Sequence, residues 1–257
     1  MVTLYGALAA DHLVFNSHWN RQSFLAGVAE LLHKMPDQVP AGLVARLEAK
    51  ACVVPVPLQA AEHQLKTLPP FSPEQPLEIV WNHRWEFDKG PDLLLALIEA
   101  IPADLPLRWH IVGQGFRSQP VEFAAIKQQL AGRLGSWGFC VDEEAYRGIL
   151  AQSHIVLSTA WHDFQGLAVL EAASLGAVPL VPNGLAYPEW FSAHYCYGSR
   201  EDFLRRDKAA LAASAAVQIV AYGEGRQALK PVDTRCLQWP QLKPVYVQLL
   251  NALSQSH

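Results

Sequence analysis

Ala160-Trp-His-Asp-Phe-Gln-Gly-Leu-Ala-Val-Leu-Glu-Ala-Ala-Ser-Leu-Gly-Ala-Val-Pro-Leu-Val-Pro-Asn183 is the stretch that decides the fold. Just before it, Ser153-His-Ile-Val-Leu-Ser158 is a short apolar run, the pattern of a strand buried on both faces of a parallel sheet. Within the stretch, a turn at Asp163 to Gly166 opens a helix, Gly176 closes it, and Ala177 to Val181 is the next strand. Strand, turn, helix, glycine and strand make a βαβ unit. Its opening turn points backbone N–H groups and a helix N-terminus outward, where an anion such as a pyrophosphate can sit.

Two carboxylates mark this unit, Asp163 before the helix and Glu171 inside it. Neither can hold a phosphate. Both suit hydroxyl-rich groups beside one, because a carboxylate accepts two hydrogen bonds from a vicinal diol such as a ribose. An equal alternative is that Asp163 caps the helix and Glu171 is a paired structural acid.

Outward from this unit the alternation is regular. Strands are expected at Leu77 to Trp81, Leu107 to Gly113, Ser136 to Val141 and His194 to Tyr197. Helices are expected at Pro91 to Ile101, Val121 to Leu134, Asp142 to Gln152, Glu201 to Tyr222 and Pro240 to Leu253. Such alternation predicts an α/β fold, a parallel sheet with helices on both faces and ligands beyond the carboxyl ends of the strands. Upstream, Asp11 to Phe15 and Ala51 to Val56 read as strands around helices at Arg21 to Lys34 and Leu43 to Glu48, separated by a break at Pro36 to Pro40. Gln59 to Glu78 holds four prolines and no clear period, so it reads as a linker. The expected division is residues 1–58, a linker over 59–76, a second Rossmann-like unit over 77–230, and a final helix over 231–257 packing back on the N-terminal part.

The strand ends carry the candidate chemistry. Trp81-Asn-His-Arg-Trp-Glu-Phe-Asp-Lys-Gly90 places Arg84 and Lys89 in a loop before a helix. With the helix N-terminus near Gly166 they can clamp a pyrophosphate and neutralise it as it leaves. Alternatively they pair with Glu86 and Asp88, which lie between them. Gly113 and Gly115 permit close backbone approach. Trp137, Phe139 and Tyr146 are candidates for a base pocket or for core. His83 and His162 sit at strand ends without a third ligand, so no metal site is expected.

At 257 residues the chain has room for two small α/β units, and 51% hydrophobic with 17% charged residues is an ordinary globular composition. The net charge of −4 announces no global nucleic-acid footprint. Arg200, Arg205, Arg206 and Lys208 form a local basic patch or a solvated helix face shared with Glu201, Asp202 and Asp207. The four cysteines are scattered, which fits reduced thiols and a cytoplasmic setting. No apolar run approaches the length of a membrane span, and no signal peptide is read at the N-terminus.

Taken together, Arg84 to Lys89-Gly90, then Asp163, Gly166 and Glu171, then Ala172 to Pro179 resemble the donor-binding half of a retaining glycosyltransferase of the two-Rossmann, GT-B type. Trp81 to Lys89, His162 to Gly166, Tyr187-Pro-Glu-Trp-Phe191 and Ala9-Ala-Asp-His-Leu-Val-Phe-Asn-Ser17 resemble, more specifically, the tRNA-queuosine mannosyltransferases. That resemblance implies a GT-B-type fold in which residues 1–58 are the remnant of a second Rossmann-like N-terminal domain whose first part lies upstream. It implies transfer of mannose from GDP-mannose to queuosine in tRNA with retention, needing no cofactor and no metal. Arg84, Lys89 and Asp163 would then be catalytic: the two cations stabilise the departing diphosphate and Asp163 meets the sugar hydroxyls. His83, Gly113, Phe139, Phe164, Gln165, Gly166, Leu167 and Glu171 would bind the donor, Glu171 at the ribose and the backbone near Phe139 at the base. Alternatives are a glycan or lipid acceptor, or a nucleotide-sugar-binding module without turnover. Oligomeric state is left open.

Overall fold

The computed structural model describes residues 2–35, 41–59 and 75–254. The N-terminal segment forms α1 (Val2–Ala9), β1 (Leu13–Phe15), α2 (His18–His33), α3 (Leu43–Ala49) and β2 (Ala51–Val53). β1 and β2 pair in parallel, and a small core of Leu4, Ala7, Leu25, Val28 and Leu47 joins their helices. The helix α1 carries no polar period and was not expected from the sequence. Ser17 starts α2 as an N-cap, its side chain accepting from the amide of Asn20. The expected break at residues 36–40 and most of the expected linker, residues 60–74, lie outside the described residues.

From residue 75 the chain builds β3 (Leu77–Trp81), α4 (Pro91–Ala100), β4 (Leu107–Val112), α5 (Glu122–Gln129), β5 (Leu134–Gly138), α6 (Glu143–Gln152), β6 (Ile155–Leu157), α7 (Leu167–Ser174), β7 (Val178–Pro182), α8 (Tyr187–Trp190), β8 (Cys196–Tyr197), α9 (Arg200–Arg205), α10 (Lys208–Gly223) and α11 (Trp239–Ser254). Their sheet has the order β5-β4-β3-β6-β7-β8, parallel throughout. This is the doubly wound order, with its reversal between β3 and β6. Both central strands are buried: Ile79, Val80, Trp81, Ile155, Val156 and Leu157 are each 0% exposed. A ligand of such a sheet sits outside the carboxyl ends of β3 and β6, and the candidate residues come together there.

Several elements differ from the sequence reading, and the strand expected over Ser136 to Val141 runs earlier, over Leu134–Gly138. The helix expected over Val121 to Leu134 stops at Gln129, because Gly132 takes a positive φ of 82° and Leu134 already pairs with Trp109 as a strand. The helix expected over Glu201 to Tyr222 is two. Arg206 adopts the left-handed conformation, with φ of 54°, and Asp207 caps the second helix by accepting from Ala210. The strand expected from His194 shrinks to Cys196–Tyr197 behind a single 3-10 turn. At the other end of the chain, Tyr246 on α11 donates to the carbonyl oxygen of Pro55, and Leu58 bridges Gln238.

Candidate active site at the sheet reversal

Where β3 ends, Trp81, Asn82 and His83 cross the point of reversal. Trp81 Nε1 donates to Thr159 Oγ1 at 2.9 Å, and His83 Nε2 lies 3.0 Å from Ser158 Oγ. Gly113, at the end of β4, lies so close that a Cβ there would meet the carbonyl oxygen of His83 at 1.9 Å. His83 is buried, and burial lowers its pKa from 6.5 to about 4 against the opposing pull of the Asp163 carboxylate. The imidazole is therefore neutral at physiological pH.

The second loop layer is held by the turn between β3 and α4. Gly90 is left-handed, with φ of 66°, and a Cβ there would meet the carbonyl oxygen of Thr159 at 2.0 Å. Thr159 Oγ1 donates to the Lys89 carbonyl at 2.9 Å, and the amides of Trp161 and His162 donate to the Asp88 carbonyl at 2.8 and 3.1 Å. This stitching seats the Lys89 ammonium. Its Nζ donates to the His162 carbonyl at 2.8 Å, with Asp88 at 3.2 Å and Asp163 at 3.5 Å. Asp163 also accepts the Gly166 amide at 2.9 Å, immediately before α7. Asp163 thus holds the turn before α7, whose N-cap is Gly166 itself, and at the same time faces Lys89. The ring of Tyr187 fills the space over Gly166, and its hydroxyl lies 2.7 Å from Ser158 Oγ. Burial first, then the nearby Asp163 charge, pushes the Tyr187 phenol well above its ordinary pKa.

Arg84 is placed differently. Its side chain is 56% exposed and pairs with Glu86 at 3.0 Å. An ion pair this open contributes little and is readily given up to a more charged partner. The pairing alternative therefore describes both cations, Arg84 with Glu86 and Lys89 with Asp88, but Lys89 is also joined to Asp163.

Arg84, His83, Gly113 and Phe139 line one cavity of about 370 Å³, together with Glu143 and Tyr146. Leu167 and Glu171 line a neighbouring one of about 330 Å³. Tyr146 connects the two: its hydroxyl donates to Glu171 at 3.1 Å and accepts from Asn82 Nδ2 at 3.1 Å. Burial raises the Glu171 pKa, opposed by the Tyr146 hydrogen bond. Trp137 does not join Phe139 and Tyr146; it packs at 4.9 Å on Trp85, which stacks on Phe123 at 4.3 Å.

Phe164 and Gln165 turn the other way, toward the N-terminal segment. Ser17 Oγ donates to the Phe164 carbonyl, and the Phe164 ring sits 4.7 Å from His162 and 6.4 Å from Trp19. The Gln165 side chain is spent on both backbone groups of Val56. Glu189 adds a further tie, accepting the His18 amide at 2.9 Å and that of Trp19 at the start of α2. The roles of Asn82, Tyr187 and Glu189 were missed from sequence, though Asn82 adjoins His83 in the quoted stretch and Tyr187 and Glu189 lie in one that carried the resemblance. Among the described residues, no group of three or more His, Cys, Asp or Glu could hold a metal ion. The four cysteines are free. The basic patch is dispersed: Arg205 pairs with Glu201, Lys208 with Asp92, and Arg206 lies over the Trp161 ring.

Residues 1–58 match the family described as tRNA-queuosine alpha-mannosyltransferase N-terminal. A protein of Drosophila melanogaster, tRNA-queuosine alpha-mannosyltransferase, is 32% identical over 204 residues, 76% of this chain and 54% of that one. The chain thus spans about half the length of this curated relative. Among solved structures, the pneumococcal O-GlcNAc transferase GtfA in complex with UDP and GlcNAc superposes with a TM-score of 0.65 at 17% identity, covering 98% of this chain and 47% of that one. Sucrose-phosphate synthase from Thermosynechococcus elongatus gives 0.59 at 16% identity, covering 100% and 62%. By sequence the chain is similar to the tRNA-queuosine alpha-mannosyltransferases, and its fold is the α/β architecture of GT-B glycosyltransferases.

Proposed function

We propose that this chain acts in a retaining glycosyltransferase that moves mannose from GDP-mannose to queuosine in tRNA, in the cytoplasm. Residues 77–230 hold the donor and residues 1–58 belong to the acceptor side. The observation that carries the reading is the cluster at the sheet reversal, where Lys89, Asp163 and the entry to α7 are bound to one another.

In this reading the diphosphate lies at the N-terminus of α7, on the amides of Gln165 and Leu167, while Arg84 leaves Glu86 to reach it. The bond between the anomeric carbon and the diphosphate oxygen breaks, and its electron pair leaves with GDP. Arg84 and Lys89 stabilise the charge that develops there, a task that fixed protein cations perform without a metal. The acceptor hydroxyl attacks from the same face and passes its proton to the departing phosphate oxygen. Asp163, fixed by Lys89 and the Gly166 amide, orients the sugar hydroxyls, and Glu171 accepts from the ribose diol.

The test is transfer of radiolabelled mannose from GDP-mannose to queuosine-containing tRNA. Label on that tRNA, and none on tRNA lacking queuosine, supports the reading. Donor binding without transfer favours the second reading, a nucleotide-sugar-binding module.

A further inference from the structure

The cavity beside Phe139 has two acceptor groups without donors. Asn82 is 6% exposed; its Nδ2 is spent on Tyr146 and on the Ala168 carbonyl, and its Oδ1 has no hydrogen-bond partner. Glu143, the first residue of α6, lines the same cavity and joins no ion pair among the described residues. Phe139, 65% exposed, presents its ring at the rim, and the bare backbone of Gly113 lies among the lining residues. The buried Asn82 Oδ1 and the exposed Glu143 carboxylate suit a flat ligand whose edge carries donors, while Arg84 supplies the cavity's own charged donor.

An ionised carboxylate only accepts. Guanine offers N1–H and the exocyclic N2–H side by side, a parallel pair that fits two carboxylate oxygens as a guanidinium does. Uracil offers a single N–H between two carbonyl oxygens, so a facing carboxylate meets lone pairs on either side. Adenine puts a bare ring nitrogen next to its amino group. Resting on the donor reading above, the geometry points to Glu143 as the group that selects a guanine nucleotide, its carboxylate accepting from N1–H and N2–H of the base. No role for Glu143 follows from the diphosphate chemistry itself.

Calorimetric titration of the whole chain with GDP, IDP and UDP tests this. IDP differs from GDP only in lacking the 2-amino group. Wild-type protein binds GDP about tenfold or more tighter than IDP, the scale of one hydrogen bond to a charged group. In Glu143→Gln the GDP affinity falls about tenfold or more, the GDP-to-IDP ratio collapses toward one, and UDP affinity stays within about twofold. Equal wild-type affinities for GDP and IDP, a measurement that needs no variant, overturn the role of Glu143 while leaving GDP as the donor nucleotide. An unchanged ratio in Glu143→Gln does the same. Failure of GDP to bind, or a preference for UDP, overturns the guanine reading and this inference together.

Discussion

Gln165 grips Val56 by both ends of its side-chain amide: Oε1 accepts the Val56 amide and Nε2 donates to the Val56 carbonyl, each at 2.9 Å. The side chain thereby stands in for a neighbouring strand just past the end of β2. Gln165 lies between Asp163 and Gly166, so the loop that carries the candidate catalytic acid is bolted to the N-terminal segment.

Gln165→Ala removes both hydrogen bonds to the backbone of Val56, an exposed residue, each worth about 0.5–1.5 kcal/mol. The expected loss is about 1–3 kcal/mol of stability, read as a lowered midpoint in urea. Turnover falls as well, because the loop that carries Asp163 loses its tie to the N-terminal segment. A midpoint unchanged within error contradicts the clamp.

Arg84→Ala separates chemistry from binding. Among the described residues the guanidinium pairs with Glu86 alone and is open, so its removal leaves the fold intact. If it meets charge that develops on the leaving group, kcat falls about a hundredfold, while the dissociation constant for GDP-mannose moves only severalfold. Equal losses in both quantities contradict the leaving-group role. Lys89→Ala also removes the cation facing Asp88 and Asp163, so it lowers stability together with turnover.

His83 makes stability depend on pH in a definite direction. Its folded pKa of about 4 lies below the ordinary 6.5, so the unfolded chain binds the proton more tightly. This contribution is fully present above pH 6.5 and is lost as pH falls from 6.5 toward 4, amounting to about 3 kcal/mol. Denaturant unfolding of wild type and of His83→Gln at pH 7.5 and at pH 4.5 measures it. Wild type loses more than the variant between the two. Parallel losses contradict a buried neutral imidazole.

Gly90 and Gly132 form a paired test of backbone geometry. Both are left-handed, at φ of 66° and 82°, so alanine costs about 1–2 kcal/mol at either from conformation alone. At Gly132 a Cβ meets nothing within 4 Å, whereas at Gly90 it strikes the Thr159 carbonyl at 2.0 Å. Gly90→Ala is therefore expected to unfold at markedly lower temperature than Gly132→Ala, and to lose activity because Lys89 shifts. Similar melting temperatures for the two variants contradict the close approach of these loops.

Local pattern determined the sheet and the helices that cover it. Apolar runs such as Ile155 to Leu157 are short and rich in β-branched residues, and Gly176, which closes α7, is visible as a letter. Boundaries failed where one residue type serves two structures. Arg206 looks like any helical cation until its left-handed backbone starts a second helix, and Leu134 continues the apolar period of α5 until it pairs with Trp109. The cations and carboxylates at the strand ends were legible because parallel sheets place ligands there. Their partners were not. That Lys89 faces Asp163 while Arg84 stays with Glu86, that Tyr146 links Asn82 to Glu171, and that Gln165 reaches back to Val56 are contacts between residues up to 109 positions apart. Spacing along the chain carries no record of such pairs, because hydrogen bonds and ion pairs depend on the distances that only packing sets.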